Sequence, residues 1–468
     1  MTATTAEPTA DIPKETWRLA WVIAFGAFTA GLDTSLVNVA LRTIQTEFGT
    51  TLDVAQWVSS GYLLALAVSL PVCGWLGNRV GTGRLWLGAL AAFTVVSGLC
   101  AAAPTIGLLI ALRVLQGLSA GLLVPAGQTI LGRAVGPQRL GRVMARLGIA
   151  VTLAPALGPV VGGLLLDGLG WRWLFLLNVP VGAVVLLLGR RRVPRGTASS
   201  ATPLDWLGFG YVGVGLPLVV YGLTDWDTST GTGGANVWPL AVGAVALALF
   251  ARRSLRQQKP LLDLRLHRRP AFAAACGAMV FGGVLMFGCT LLFPLYFQLA
   301  RGAGIVATGL LTVAFGAGTA VTLPLAGRLT DSRGGGPVAL LGGLITVVVT
   351  GELALVGPDQ SAVVVQLVLL ALGSGTALLV SPLMVSAFRT VDHDQLSDAT
   401  AQVNIVNRVG GALGAAVFAV VVDRGLSGGT SAAFQLAFGW QWGAALLALA
   451  GAGVLWLATR SHRPDVSR

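Results

Sequence analysis

Ala30-Gly31-Leu32-Asp33-Thr34-Ser35-Leu36-Val37-Asn38 lies inside an apolar run over 17–39. A helix of about 20 mainly apolar residues crosses roughly 30 Å of hydrocarbon, so the run is long enough to span a bilayer. A carboxylate inside such a helix is expensive and needs a partner or a task. The complementary charge stands in Leu109-Ile110-Ala111-Leu112-Arg113-Val114-Leu115-Gln116-Gly117, inside a run over 106–130. Arg113, Gln116 and Gly117 are three and four residues apart and so share one helix face.

Working outward, the same reading finds fourteen runs. They are 17–39, 54–76, 85–103, 106–130, 142–166, 171–189, 204–224, 236–251, 271–297, 305–327, 337–357, 361–387, 399–423 and 434–458. Composition agrees: mean hydropathy is +0.78 and charged residues are 11% of the chain, too few for a soluble surface at this length. The 64 glycines suit a membrane bundle, where small residues let helix backbones approach closely. The net charge of +12 does not indicate nucleic acid, because the basic residues recur in short loops rather than in one patch. Of the 31 lysines and arginines, twenty-five fall on the side that holds both termini. Four, Arg42, Arg172, Arg301 and Arg424, fall on the other side, and Arg113 and Arg408 lie within helices. That bias predicts cytoplasmic termini.

Several chemistries are excluded by what accompanies these runs. Cys73, Cys100, Cys276 and Cys289 lie inside apolar runs without metal-ligand spacing and read as small buried or lipid-facing residues. His267, His393 and His462 lie in polar loops or the tail, so no histidine relay or metal site is expected. No nucleotide-binding glycine loop occurs, and no cofactor is called for. Asp392, His393, Asp394 and Asp398 read as solvated residues ahead of the thirteenth run rather than as an enzyme's acid/base cluster. Residues 1–16, with Pro8 and Pro13, read as a polar tail.

An internal repeat sets the architecture. Gly74-Trp75-Leu76-Gly77-Asn78-Arg79-Val80-Gly81 follows the second run, and Gly327-Arg328-Leu329-Thr330-Asp331-Ser332-Arg333-Gly334 follows the tenth. With the seventh and eighth runs as an insertion, each copy sits at the same place in a six-helix half. Two related halves around a central cavity is a transporter plan. The expected division is a tail over 1–16, a first half over 17–189, a linker over 190–203, two inserted helices over 204–251, a basic connector over 252–270, a second half over 271–458 and a tail over 459–468. Ala154-Pro155-Ala156-Leu157-Gly158-Pro159-Val160-Val161-Gly162-Gly163 reads as a bent, smooth-faced helix, serving as a hinge, a packing seam or both. Asp33 and Arg113 read either as a proton-coupling pair or as a static salt bridge.

These residues resemble the major facilitator superfamily, and within it the fourteen-helix drug:proton antiporters. Gly74 to Arg84 resembles the superfamily's loop motif. Arg113-Val114-Leu115-Gln116-Gly117 is similar to the motif whose arginine is implicated in proton coupling. Gly158-Pro159-Val160-Val161-Gly162-Gly163 resembles the antiporter motif of the fifth helix, and Leu32 to Leu41 the first-helix motif of the fourteen-helix branch. Trp171 to Gly182 and Leu204-Asp205-Trp206-Leu207-Gly208 are similar to further stretches of that branch. The resemblance implies an all-α polytopic membrane protein of the major facilitator fold, with fourteen transmembrane helices and no enzymatic activity. It implies proton-coupled export of small lipophilic compounds across the cytoplasmic membrane of a bacterium. Its motifs place proton coupling on Asp33 and Arg113, supported by Asn38, Gln116 and Gly117. They place the hinge on Pro155, Gly158, Pro159, Gly162 and Gly163. The loop motifs are carried by Gly74, Asn78, Arg79 and Gly81, and by Gly327, Asp331 and Arg333.

The sequence also departs from the family. Asn78 stands where an aspartate is usual; it can hydrogen-bond a helix N-terminus but supplies no fixed negative charge there. Arg42 stands where proline is usual. Asn404, Asn407 and Arg408 lie where exporters of multivalent cations in this branch can place acids, which disfavours a dicationic substrate. Phe281, Met286, Phe287, Tyr296 and Gln298 line an apolar cavity in one reading, with Asn404, Asn407 and Arg408 as further candidate cavity residues; in another reading the five face lipid or other helices. A transporter of another metabolite, an importer or uniporter, is the alternative function; a non-transporting sensor has no positive feature.

Overall fold

The computed structural model describes residues 12–197, 203–224, 237–258, 260–356 and 361–460. Each of the fourteen apolar runs contains helix among the described residues. The first half is α1 (Lys14–Glu47), α2 (Leu52–Ser69), α3 (Val72–Val80), α4 (Thr82–Ala101), α5 (Ile106–Val135), α6 (Leu140–Leu169), α7 (Arg172–Leu176) and α8 (Asn178–Arg192). Then come α9 (Trp206–Thr224) and α10 (Trp238–Arg256). The second half is α11 (Pro270–Leu295), which passes into a π-helical turn, α12 (Ile305–Arg333), α13 (Gly335–Val356), α14 (Ala362–Arg389), α15 (Leu396–Gly425) and α16 (Thr430–Arg460).

Eleven helices among the described residues are long and apolar enough to cross a membrane, or twelve if the pair α2 and α3 is one span. The run over 54–76, read as one span, is bent by 59° between Ser69 and Val72. Pro71 sits at that break and has no N–H to continue the ladder. The chain is thus an all-α, multi-pass membrane protein.

The helix pairing repeats between the halves. In the first, α1 packs on α6, α2 on α5 and α4 on α8; in the second, α11 packs on α15, α12 on α14 and α13 on α16. Glycines set several of these approaches. Any Cβ on Gly117 would meet the Tyr62 carbonyl of α2, and one on Gly410 would meet the Val280 carbonyl of α11. Hydrogen bonds between the halves gather where the basic loops lie, here called the basic end. There α6 packs on α12 and α5 on α15. The inserted pair is one hairpin: α9 packs on α10 and also on both α2 and α15. Trp57 of α2 stacks on Tyr221 of α9 at 6.5 Å, and Asp205 holds Arg253 at 2.9 Å.

Candidate functional site

Asp33 is fully buried midway along α1, and α2, α5 and α8 send groups to it or to its partner. Arg113 of α5, also fully buried, donates from Nη1 to Asp33 Oδ2 at 2.5 Å. Gln116, one turn further on α5, donates to Asp33 Oδ1 at 3.1 Å and accepts from Arg113 Nη1 at 2.7 Å. Asn178, at the start of α8, donates to Asp33 Oδ1 at 2.7 Å and to Ser97 of α4 at 3.1 Å. Ser97 in turn donates to the Phe175 carbonyl of α7. From α2, the Val58 carbonyl accepts Arg113 Nε at 2.9 Å, and the Tyr62 ring lies under the guanidinium at 4.1 Å. Three donors, one of them charged, thus converge on the one carboxylate. Removing one member of a buried pair typically costs about 3–5 kcal/mol, because the other charge is left uncompensated.

Asn38, expected to support this pair, is exposed and accepts instead from Ser59 at 2.6 Å. Gly117 supports it indirectly, by letting α5 close on α2 so that Arg113 reaches Val58. Asn178, Ser97 and Tyr62 are members the local reading did not assign. Asn178 lay within a quoted family stretch, but nothing local says that it turns toward Asp33.

The second constellation joins the halves at the basic end. Asp331, at the end of α12, accepts the backbone N–H groups of Gly141 at 2.8 Å and Arg142 at 3.0 Å. These are among the open donors at the N-terminus of α6, so a residue of one half caps a helix of the other. Arg142 Nε at 3.2 Å and Arg389 Nη2 at 2.8 Å complete the cluster, and Arg389 also donates to the Pro137 carbonyl across the seam. Gly327 makes room, since a Cβ there would stand 2.6 Å from the Gly141 carbonyl. Arg333 is exposed. In the first-half copy the Asn78 side chain makes no hydrogen bond among the described residues, and Arg79 lies over Trp75 at 5.3 Å. Gly74 packs directly against the carboxylate of Asp398, in the first turn of α15.

The proposed hinge lies along α6 where it crosses α1. Gly158 packs directly on Ser35, two residues from Asp33, and a Cβ on Gly162 would stand 3.3 Å from Leu36. Gly163 has nothing within 4 Å and so takes no part in that approach. Pro155 and Pro159 are helical in backbone; their side chains lie outside the described ones.

The residues grouped as a substrate cavity do not assemble in one place. Tyr296 is buried in an aromatic cluster with Phe434 and Phe438, at 5.5 and 5.9 Å, and Gln298 is exposed. Phe281 borders a groove between α11, α15 and α16 with Phe418 and Trp440. Phe287 packs on Gly411 of α15, and Met286 is half-buried. Asn404 alone of the set bonds across the seam, to Gln128 of α5 at 2.7 Å. Asn407 keeps a buried Nδ2 without a hydrogen-bond partner. Arg408 is half-buried near Tyr62. Among the described residues no group of His, Cys, Asp and Glu could hold a metal ion.

Comparison with known proteins follows the same lines. The profile of the Major Facilitator Superfamily matches residues 23–415. A multidrug resistance protein B homolog of Mycobacterium tuberculosis is 35% identical over 410 residues, covering 86% of this chain and 76% of that relative. A putative multidrug resistance protein MdtD of Escherichia coli is 31% identical over 307 residues, covering 65% and 64%. The proton:xylose symporter XylE superposes with a TM-score of 0.68 at 14% identity, covering 95% of this chain and 96% of that one, a likeness of fold.

Proposed function

The chain belongs to the major facilitator superfamily, and from that premise we propose that it is a proton-coupled antiporter exporting small lipophilic compounds. It is a transporter rather than an enzyme. The multidrug names of two relatives support the drug-exporting branch. The fourteen helical runs and the α9–α10 hairpin support its fourteen-helix form. The basic loops support an orientation with both termini in the cytoplasm of a bacterial cell.

The observation that carries the proposal is the buried carboxylate of Asp33, held by donors from α5 and α8 while α6 packs on its own helix. In the conformation described, the halves are latched at the basic end. With that end cytoplasmic, the path between the halves is closed on the cytoplasmic side. Release of the latch frees the N-terminus of α6 to move, and α6 bears on α1 through Gly158 and Ser35. Separation of α1 from Arg113 and Asn178 removes the groups that favour the ionised form, so Asp33 takes up a proton in one state and loses it in the other. Coupling to the proton then requires that the substrate's affinity differ between the two states.

The test is substrate-induced proton release in proteoliposomes. Asp33→Asn is expected to abolish proton-driven transport while leaving downhill exchange. Arg113→Lys keeps the charge but loses the planar fork, and is expected to be impaired. Normal proton stoichiometry in Asp33→Asn would overturn the assignment of the carrier.

A further inference from the structure

The stripe Thr400, Asn404 and Arg408 advances along α15 at a spacing of four residues, so its side chains follow one face. Thr400 meets Thr129 of α5 at 3.0 Å, and Asn404 donates to Gln128 of α5 at 2.7 Å. One turn further from the basic end, where this zipper of hydrogen bonds stops, the stripe presents Arg408. It lies within electrostatic reach of Tyr62 across the seam. It has no acidic or hydrogen-bonding partner among the described residues.

That isolation sets it apart. Arg113 is paired with Asp33, Arg142 and Arg389 with Asp331, and Arg253 with Asp205. A guanidinium at membrane depth without a carboxylate leaves a charge uncompensated. The charged groups on the helices packed around α15 do not balance it. On α5 they are Arg113, already paired with Asp33, and Arg133; on α3, α14 and α16 they are Arg79, Arg389 and Arg460 at the basic end. The described groups at membrane depth in this seam therefore sum to one positive charge: Asp33, Arg113 and Arg408.

The neighbours of Arg408 on α15, Ile405 and Val409, pack against an apolar cluster that includes Val212 and Leu216 of α9. Helix α9 also rests on α2 through Tyr221 and Trp57. The seam thus offers one fixed cation beside an apolar cluster, with the buried Tyr62 and the Asp33–Arg113 pair behind it.

We propose that Arg408 is the substrate anchor and that the exported compounds are lipophilic organic anions, a carboxylate or acidic phenol on an apolar body. The inference rests on reading this chain as an exporter whose substrate path is the seam between the halves. A guanidinium fork matches a planar carboxylate bidentately, and the surrounding low dielectric strengthens the pair. Neutral compounds leave the charge unmatched, and cations are repelled.

The test uses purified protein in nanodiscs and three matched fluorescent probes: 1-pyrenebutyrate, its methyl ester and a pyrenylbutyl trimethylammonium. The acid is expected to bind at least tenfold more tightly than either of the others. Arg408→Gln is expected to remove that preference without changing the ester's affinity, and Arg408→Lys to retain part of it. Equal affinity for acid and ester in the unmodified protein overturns the proposal and needs no variant. So does a preference for the ammonium probe, or an acid affinity that Arg408→Gln leaves unchanged. Vesicle transport separates this inference from its premise. Arg408-dependent acid binding without proton-driven movement sinks the exporter reading and keeps the anion site. Proton-driven export of the ester or ammonium probe, with no Arg408-dependent acid binding, does the reverse.

Discussion

The loop copies Gly74–Gly81 and Gly327–Gly334 share a backbone and differ in charge. Both end on a glycine of positive φ, 93° at Gly81 and 87° at Gly334. Both begin on a glycine pressed against the first turn of a helix from the other half. In the second copy the loop carries the acid, Asp331, and the facing helix supplies backbone donors and Arg142. In the first copy the loop carries an amide, Asn78, and the acid, Asp398, lies on the facing helix. Glycines fix the approach of the chains because nothing larger fits. Charge can therefore change sides of the contact without changing its shape. The lesson is that the shape of this joint is symmetric and its latch is not.

The strongest way to break that asymmetry is Asp331→Asn, which makes the second copy resemble the first. Each bond to the carboxylate is worth about 1.5–3 kcal/mol, so losing even one shifts a two-state equilibrium by tenfold or more. Transport is expected to fall at least tenfold. Spin labels at Arg139 and Ser332 are expected to show a new population of longer distances. An unchanged distance distribution would show that packing alone holds the basic end closed.

A smaller effect is expected from Asn78→Asp. It adds a second acid one helical turn from Gly74, which already packs on Asp398, and like charges at close range repel. Transport is expected to fall several-fold. Adding Asp398→Asn in the same chain is expected to restore most of it, since neighbouring sites are not additive. Two independent losses that simply multiply would mean that the acids do not meet.

The glycines test the shared backbone. Alanine at either positive-φ position costs about 1–2 kcal/mol of strain. At Gly81 the new Cβ would also stand 2.6 Å from the Arg195 carbonyl, whereas Gly334 has nothing within 4 Å. Gly81→Ala is therefore expected to lower the midpoint of thermal unfolding in detergent more than Gly334→Ala; equal shifts would put the cost in φ alone. The smallest effect belongs to Arg333→Gln. Arg333 is exposed, and its loss is expected to change stability by no more than about 0.5 kcal/mol in the same assay.

Much of the fold was legible because a membrane helix advertises itself locally. Twenty apolar residues need no knowledge of their neighbours to be recognised, and backbone groups in lipid must bond within the segment. The bend at Pro71 was not read from the run over 54–76, although the proline at the break stands in the sequence. The site was legible only where it rested on charge. Asp33 and Arg113 stand out because ionised groups are costly in apolar runs, and the loop copies stand out because their glycines recur at the same spacing. Tyr296, read as a candidate cavity residue, packs with Phe434 and Phe438 in the second half. Its contacts depend on how α11 is rotated against α16, and hydrophobic residues around the whole circumference of a helix conceal that rotation.

By itself, then, the sequence determined which segments are helical, which ends of them carry the basic loops, and which few charges must find partners within the bundle. The tertiary structure alone decided who those partners are. Asp33, Ser97, Arg113 and Asn178 come from four helices, and their meeting depends on helix packing, which no local pattern encodes. It likewise decided that Asp331 caps α6 of the opposite half and that Arg408 stands where the seam's hydrogen bonds end. Local spacing places a residue on a face of its own helix; only close packing between helices decides what that face meets.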